Sequence, residues 1–360
     1  GFSVSVLERE EGPGGRMAET NTDGLNYPTG ARLIYSSSQS VMGLIRELGL
    51  SNQLCPGLKV PVSASSLSGE HPVQMTPRFN LLLDSAMSYR ERWCLFQMGA
   101  GLVSRRLSTN PDRLLDWRRY DDITLAKYLR QRSLDEISTT RIEPIFRGAR
   151  GWRMTDISPA FFLSTTTHMY GAQAYTFEGG IGLLTKRLAQ DLDVTYCVDV
   201  KHLSRTVTGS TKVDYEVKGS LESADADVVI CAIPGSLSLR IISEPTPEEV
   251  RFFRAVKYSS GHMLHVGVDR SIEPYVRFFS SDVNASLAAV EVVNQSGSSS
   301  SYLTRISVHL GPETVMDLKT RQAPVGELPD VLDDLSDDIA MHLDFAEGEI
   351  VQQRIENMLP

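Results

Sequence analysis

Apolar and polar positions along the chain follow two periods. Phe2-Ser-Val-Ser-Val-Leu alternates and ends in Glu8, which predicts a short strand. Val194 to Leu203, then Val213, Tyr215 and Val217, and later Leu264, Val266 and Val268, alternate in the same way. Ala226-Asp-Val-Val-Ile-Cys-Ala-Ile233-Pro234 is an apolar run that predicts a buried strand closed by proline. Two more strands are expected around Val290–Val293 and Tyr302–Val308, with Gly297 and Ser298 to Ser301 as their turn. Helical spacing appears from Gln39 to Gly49, where Val41, Leu44, Ile45 and Leu48 share a face and Gly49 is a stop signal. Residues 57–77 are rich in Ser, Pro and Gly and read as short strands with turns, whereas 80–150 read as mainly helical. Within that block Leu81–Asp84, Ile123–Arg132 and Leu134–Ile145 carry helix-compatible patterns, and Asp121-Asp122 caps the second. Leu184, Leu188 and Leu192 form a stripe on a helix that starts after Gly182. Asp330–Leu343 predicts an acidic amphipathic helix with Val331, Leu335 and Ile339 inward.

At 360 residues the chain is long enough for two lobes, and 41% hydrophobic with 22% charged residues is ordinary for a globular protein. A net charge of −9 argues against a general nucleic-acid binder. No apolar run reaches the roughly 18 residues that span a bilayer, so the cytoplasm is the default expectation. Charge is unevenly spread. Residues 78–153 hold fourteen Arg and one Lys against nine acids, which makes this block +6 and the remainder −15. Such a block reads either as a solvated helical surface or as a basic lobe that draws an acidic substrate or a membrane surface. Cys55, Cys94, Cys197 and Cys231 are far apart, without metal-ligand spacing, and read as reduced thiols. His262 and His265 fall on opposite faces of a strand, which is poor metal geometry, so no metal site is expected.

The chemistry concentrates near the start. After the first strand come Glu8 and then Gly14-Gly15-Arg16. The paired glycines let backbone approach a ligand, and the guanidinium can grip an anion. Gly30-Ala31-Arg32 follows. In a dinucleotide-binding unit an acid at the end of the second strand holds the ribose hydroxyls.

The order strand, Glu8, Gly-Gly-Arg, Gly-Ala-Arg and helix resembles the FAD-dependent amine oxidase superfamily, which includes protoporphyrinogen oxidases, phytoene-type desaturases and renalase-like proteins. Gly179-Gly180-Ile-Gly182-Leu, and the helical block between two halves of an α/β unit, resemble the same family. The resemblance implies FAD as cofactor, with Glu8, Gly14, Gly15, Arg16 and Arg32 near it and Val200 meeting the adenine through its backbone. It implies an α/β fold, α+β overall: a Rossmann-like FAD-binding domain from 1–56, 178–245 and 330–360. The substrate domain would then comprise 57–177 and 246–329, with the helical lobe at 80–150. Its mixed or antiparallel sheet would draw on residues near 200–218 and 260–310.

Two departures from the family pattern matter. The glycine-rich loop G-x-G-x-x-G stands about 20 residues before the acid in a complete unit, but only seven residues precede Glu8 here. A Gly-Asp segment that binds the flavin in the family would fall after Pro360. The expectation is therefore either a piece of a longer protein or a cofactor site that is incomplete by design. Second, amine-oxidising members often carry a lysine where this chain has His262 or Met263, which fits carbon–carbon dehydrogenation better than amine oxidation. The expected reaction is hydride transfer from an apolar or conjugated small molecule to FAD. A flavin-free relative doing cyclisation, isomerisation or simple ligand binding is the alternative. No catalytic acid or base stands out, and flavin chemistry does not require one.

Overall fold

The computed structural model describes residues 1–22, 25–28, 30–57, 60–74, 87–259, 261–294, 304–314 and 350–358. Its largest layer is a seven-stranded sheet built from β6 (Val62–Ser66), β7 (Gly69–Pro72), β13 (Gly261–Val268), β14 (Tyr275–Phe279), β15 (Leu287–Asn294), β16 (Thr304–Leu310) and β17 (Ile350–Met358). The order is β17-β13-β16-β15-β14-β6-β7, antiparallel except where β14 runs parallel to β6. The alternation in the sequence decides the faces. Leu264, Val266, Val268, Val290, Val292, Ile306 and Val308 are buried together on one side. The other side turns Met263, Ala289, Glu291, Arg305 and His309 toward the helical lobe.

That lobe contains α2 (Tyr89–Arg106), α3 (Leu125–Arg130), α4 (Asp135–Ile137), α5 (Glu143–Arg150) and α6 (Pro159–Met169), with a π-helical turn at Ser138–Ile142. Trp117, Leu125, Leu129, Leu134 and Leu163 form its core. Ser88 caps α2 by accepting from Glu91 N, and the buried Glu91 carboxylate accepts from Glu136 N at 2.9 Å, tying α2 to α4. Arg147 fixes α5 to the sheet. Its guanidinium, 1% exposed, donates to Leu287 O at 2.6 Å, to Phe279 O and to Ala285 O, and pairs with Glu313 at 3.4 Å.

A second layer holds the opening segment. β1 (Ser5–Leu7) pairs in parallel with β9 (Asp193–Thr195). Cys197, at φ 57, turns the chain into β10 (Val198–Arg205), which forms a three-stranded antiparallel sheet with β11 (Thr211–Val217) and β12 (Ser220–Ala226). β4 (Ile34–Tyr35) and β5 (Leu54–Pro56) both pair with β8 (Ala174–Phe177), and β2 (Glu19–Thr22) pairs with β3 (Leu25–Pro28). α1 (Gln39–Glu47) and α7 (Leu183–Ala189) bury Ile45 and Leu184 against Ile34, Leu50, Phe177 and Ile181. α8 (Gly235–Ile241) and α9 (Pro247–Ala255) pack on each other beside β10.

The structure corrects four expectations. The run 226–233 is not a buried strand: beyond Ala226 it is irregular, with Val228 and Ile230 exposed by 73% and 87%. A parallel strand needs a ladder partner, and among the described residues none lies beside it. The strand at 350–358 belongs with β13 in the large sheet, not with the opening layer, because its full length pairs with Gly261–Val268. The 200–218 strands make a separate sheet joined to β1, where Val198 N donates to Glu8 O at 2.9 Å. Finally, Ala174–Phe177 stands with β4 and β5, on the opening side of the boundary drawn at 177. The expected helices at 81–84 and 330–343 and the turn at 297–301 lie outside the described residues.

Candidate functional site

Between the polar face of the large sheet, the helical lobe and the opening layer lies a cavity of about 1560 Å³, mainly apolar in its lining. Each wall follows from a feature of the sequence.

The opening wall is backbone. Gly14 (φ 135) and Gly15 (φ 49) adopt conformations that L side chains rarely take, and they lead into a tight turn at Gly15–Met17. Gly30 is pressed against this turn. A Cβ there would overlap Arg16 O, which accepts from Ala31 N at 2.8 Å. Gly180, at φ 86, lies under the Glu19 carboxylate, which leaves no room for a side chain. Gly30, Gly180 and Glu19 all line the cavity. The Gly14-Gly15-Arg16 and Gly30-Ala31-Arg32 segments are thus in backbone contact.

Glu8 continues β1, and its carboxylate accepts from Glu10 N at 2.9 Å. Because Val198 N bonds to Glu8 O, Val200 stands two residues along the neighbouring strand, roughly 7 Å further on. The bond sets Glu8 beside Val198, with Val200 two residues further along β10. Arg16 is exposed beside them in sequence, on the rim of the glycine turn. Arg32 stands apart from this group. It reaches across the cavity floor, donates from Nη2 to Met263 Sδ at 2.8 Å and pairs with Glu291. Burial, with the Arg305 guanidinium nearby, pulls Arg32 down to about 9. Paired to a carboxylate, it remains a cation at neutral pH.

The floor is a polar row on an otherwise apolar sheet. Met263 pairs with His309, His265 with Ser307, and Glu291 with Ser307 across the strands. His265 Nδ1 and Ser307 Oγ are 2.9 Å apart. Burial first, and then the Arg32 charge and the His265 ring, push the His309 imidazole well below its ordinary range, so it is neutral at pH 7. Met263 is the sulfur partner of Arg32, and His262, the other residue expected near the family's lysine position, is also buried.

The roof is aromatic. Phe146, Trp152 and Phe161 pack ring on ring, with Trp152 and Phe161 centroids 5.0 Å apart, and Trp152 Nε1 donates to Ser259 Oγ at 2.7 Å. Phe146 and Phe161 line the cavity, as do Tyr35 and Arg150. The sequence did not single out Tyr35, Arg150, Glu291, Arg305 or His309. The only local trace was the arginine-rich Phe146-Arg-Gly-Ala-Arg150-Gly-Trp152 run.

A family model described as flavin containing amine oxidoreductase matches residues 1–300. No curated protein matches the sequence significantly. Many solved structures resemble the fold. A protein of Exiguobacterium sp. 255-15, described provisionally as a protoporphyrinogen oxidase, superposes with a TM-score of 0.69 at 18% identity, covering 99% of this chain and 80% of its own. Cyclohexylamine oxidase from Brevibacterium oxydans IH-35A gives 0.66 at 13%, covering 98% and 78%. A fatty acid isomerase from P. acnes that produces CLA gives 0.65 at 11%, covering 98% and 79%. At these identities the likeness concerns the fold.

Proposed function

Because this chain belongs to the flavin containing amine oxidoreductase family, it is a flavin-dependent oxidoreductase, and we propose that its flavin is FAD and its substrate an apolar or conjugated small molecule that gives up a hydride. The observation that carries this reading is the contact between the Gly14-Gly15-Arg16 turn and Gly30 at the edge of the large apolar cavity. Close backbone without side chains fits a flat cofactor and its phosphates. Glu8 and Val200 would hold the ribose and adenine end, and Arg16 the phosphates.

When bound, the flavin ring supplies the hydride acceptor. The chain supplies orientation and dryness. Phe146, Phe161 and the apolar face of α2 exclude water from the cavity, while Arg32 and Glu291 neutralise one another on its floor. With His262 or Met263 where amine-oxidising relatives often carry a lysine, no primary amine stands on that part of the floor among the described residues. This supports dehydrogenation of a carbon–carbon bond over oxidation of an amine.

The reading extends to the surroundings of the cavity. Tyr89, Trp93 and Leu107 form an exposed apolar stripe along α2, between 60% and 97% exposed, among Arg90, Arg92, Arg105 and Arg106. Such a helix suits peripheral contact with an anionic membrane surface, next to a cavity that takes an apolar substrate. No helix among the described residues is long and apolar enough to cross a membrane, and cytoplasmic residence is part of the proposal.

The test is an absorption spectrum of the purified chain before and after incubation with excess FAD and desalting. Visible flavin bands that survive desalting, and that bleach anaerobically with a polyene or porphyrinogen but not with a simple primary amine, are the expected result. Absence of the bands in both samples would overturn it and would turn attention to non-redox chemistry in the same cavity.

A further inference from the structure

Among the described residues, Arg150 lines the cavity with no carboxylate paired to it. Four arginines line it, Arg32, Arg141, Arg150 and Arg305, against three glutamates, Glu19, Glu178 and Glu291. With His309 neutral, the lining carries a net positive charge. Arg32 is matched by Glu291. Arg150 differs: among the described residues no carboxylate pairs with it. Instead it lies over rings, its Cζ 5.3 Å from the Phe161 centroid and 5.8 Å from that of Trp152. Its side chain is exposed, and it lines the cavity. Three residues earlier on the same helix Arg147 is spent on backbone carbonyls, so the contrast is not one of residue type but of where each fork points.

We propose that Arg150 anchors a carboxylate, and that the substrate is an acid: an apolar or conjugated body that ends in a carboxyl group. This rests on the oxidoreductase reading of the cavity and adds the substrate's head group to it.

Geometry and charge support it. A guanidinium is always charged and offers five donors in a planar fork that matches a carboxylate bidentately. The Phe161 and Trp152 faces hold the cation in place without using up those donors. Gly151, in the left-handed conformation at φ 63, ends α5 immediately after Arg150 and fixes the direction in which the roof turns. Tyr35 lines the same cavity, where burial raises the pKa of its hydroxyl and the Arg150 charge lowers it. A cationic substrate meets the opposite field. An alkylammonium would have to approach an unmatched guanidinium in a cavity of low polarity, where like charges repel strongly. The inference thus separates this chain from amine-oxidising relatives by charge as well as by Met263.

The test is calorimetric titration of the purified full chain with decanoate, decanol and decylamine, which share a chain length and differ in head group. Decanoate should bind about tenfold more tightly than decanol, and decylamine most weakly. Arg150→Gln should bring decanoate to within about twofold of decanol while leaving decanol unchanged, and Arg150→Lys should keep part of the preference. Thermal unfolding of both variants checks that they are folded. Equal binding of decanoate and decanol to the unaltered chain, preference for decylamine, or a carboxylate preference that survives Arg150→Gln would each overturn the proposal. The titration needs no turnover, so it can fail while the flavin bands persist, and the flavin bands can be absent while it succeeds.

Discussion

At the scale of single residues, spacing and through-space partnership had different fates. Gly14, Gly15 and Gly30 were legible because their use depends on backbone conformation and on distance along the chain. Arg150 and His309 were not, because a side chain's role in a cavity is set by what the fold places opposite it. His309 makes the point measurable. In the folded chain its imidazole is held well below the ordinary value by burial, by Arg32 and by His265. In the unfolded chain it protonates at about 6.5. Below that pH the unfolded state binds a proton that the folded state refuses, so stability must fall with falling pH, by up to about 1.4 kcal/mol per pH unit from this one site. Urea unfolding midpoints at about pH 7.5 and about pH 5 should therefore separate the unaltered chain from His309→Gln, whose loss of stability on acidification is smaller. Equal losses in the two proteins would show that His309 accepts its proton in the folded state.

At the scale of elements, local pattern sufficed wherever an element's partners lie close in sequence or its face is decided by alternation. The helix at 39–47 and the apolar face of β13 came out as expected. The run 226–233 did not, since a ladder partner is a property of the sheet and leaves no mark on the strand's own residues. The pairing of β17 with β13 was hidden for the same reason. The packing of α5 on the sheet was equally invisible, yet it controls the cavity's height. Gly148 permits it: a Cβ at this position would lie 2.7 Å from Ala288 O and 2.9 Å from Ala289 Cβ, and would also overlap the Phe278 ring. Replacing a helical glycine by alanine ordinarily gains about 0.5–1 kcal/mol. Here overpacking at about 1–3 kcal/mol outweighs that gain, so Gly148→Ala should destabilise. Gly101→Ala in α2, where nothing lies within 4 Å of the new methyl, should stabilise by about 0.5–1 kcal/mol. Denaturant titration of the pair gives opposite signs if α5 is packed as described, and the same sign if α5 can lift away from β14 and β15.

At the scale of the whole molecule, the charge asymmetry was plain in composition, but which apolar residues accompany the positive charge was not. The spacing of Tyr89, Trp93, Phe96, Val103 and Leu107 is that of a core-facing helix stripe, and yet Tyr89, Trp93 and Leu107 are mostly exposed, while Phe96 and Val103 border the cavity. Their neighbours are arginines of a +6 block in a chain of net −9, and the two charges act over different distances. At about 0.01 M ionic strength the Debye length is about 30 Å, so an anionic surface feels the whole chain and repels it. At about 0.1 M the length is about 10 Å, so the surface feels mainly the basic lobe that touches it, each nearby arginine contributing about 1 kcal/mol. At about 1 M the lobe too is screened, leaving only the apolar stripe. Flotation with phosphatidylserine-containing vesicles should therefore pass through a maximum near 0.1 M salt, roughly, rather than decline steadily from low salt. Trp93→Ser with Leu107→Ser should lower the binding at every salt concentration without moving the maximum, since the stripe contributes area and not charge. A steady decline from the lowest salt would mean that the net negative charge is not felt at the membrane. Binding equal on neutral and anionic vesicles would remove the basic lobe from the contact altogether.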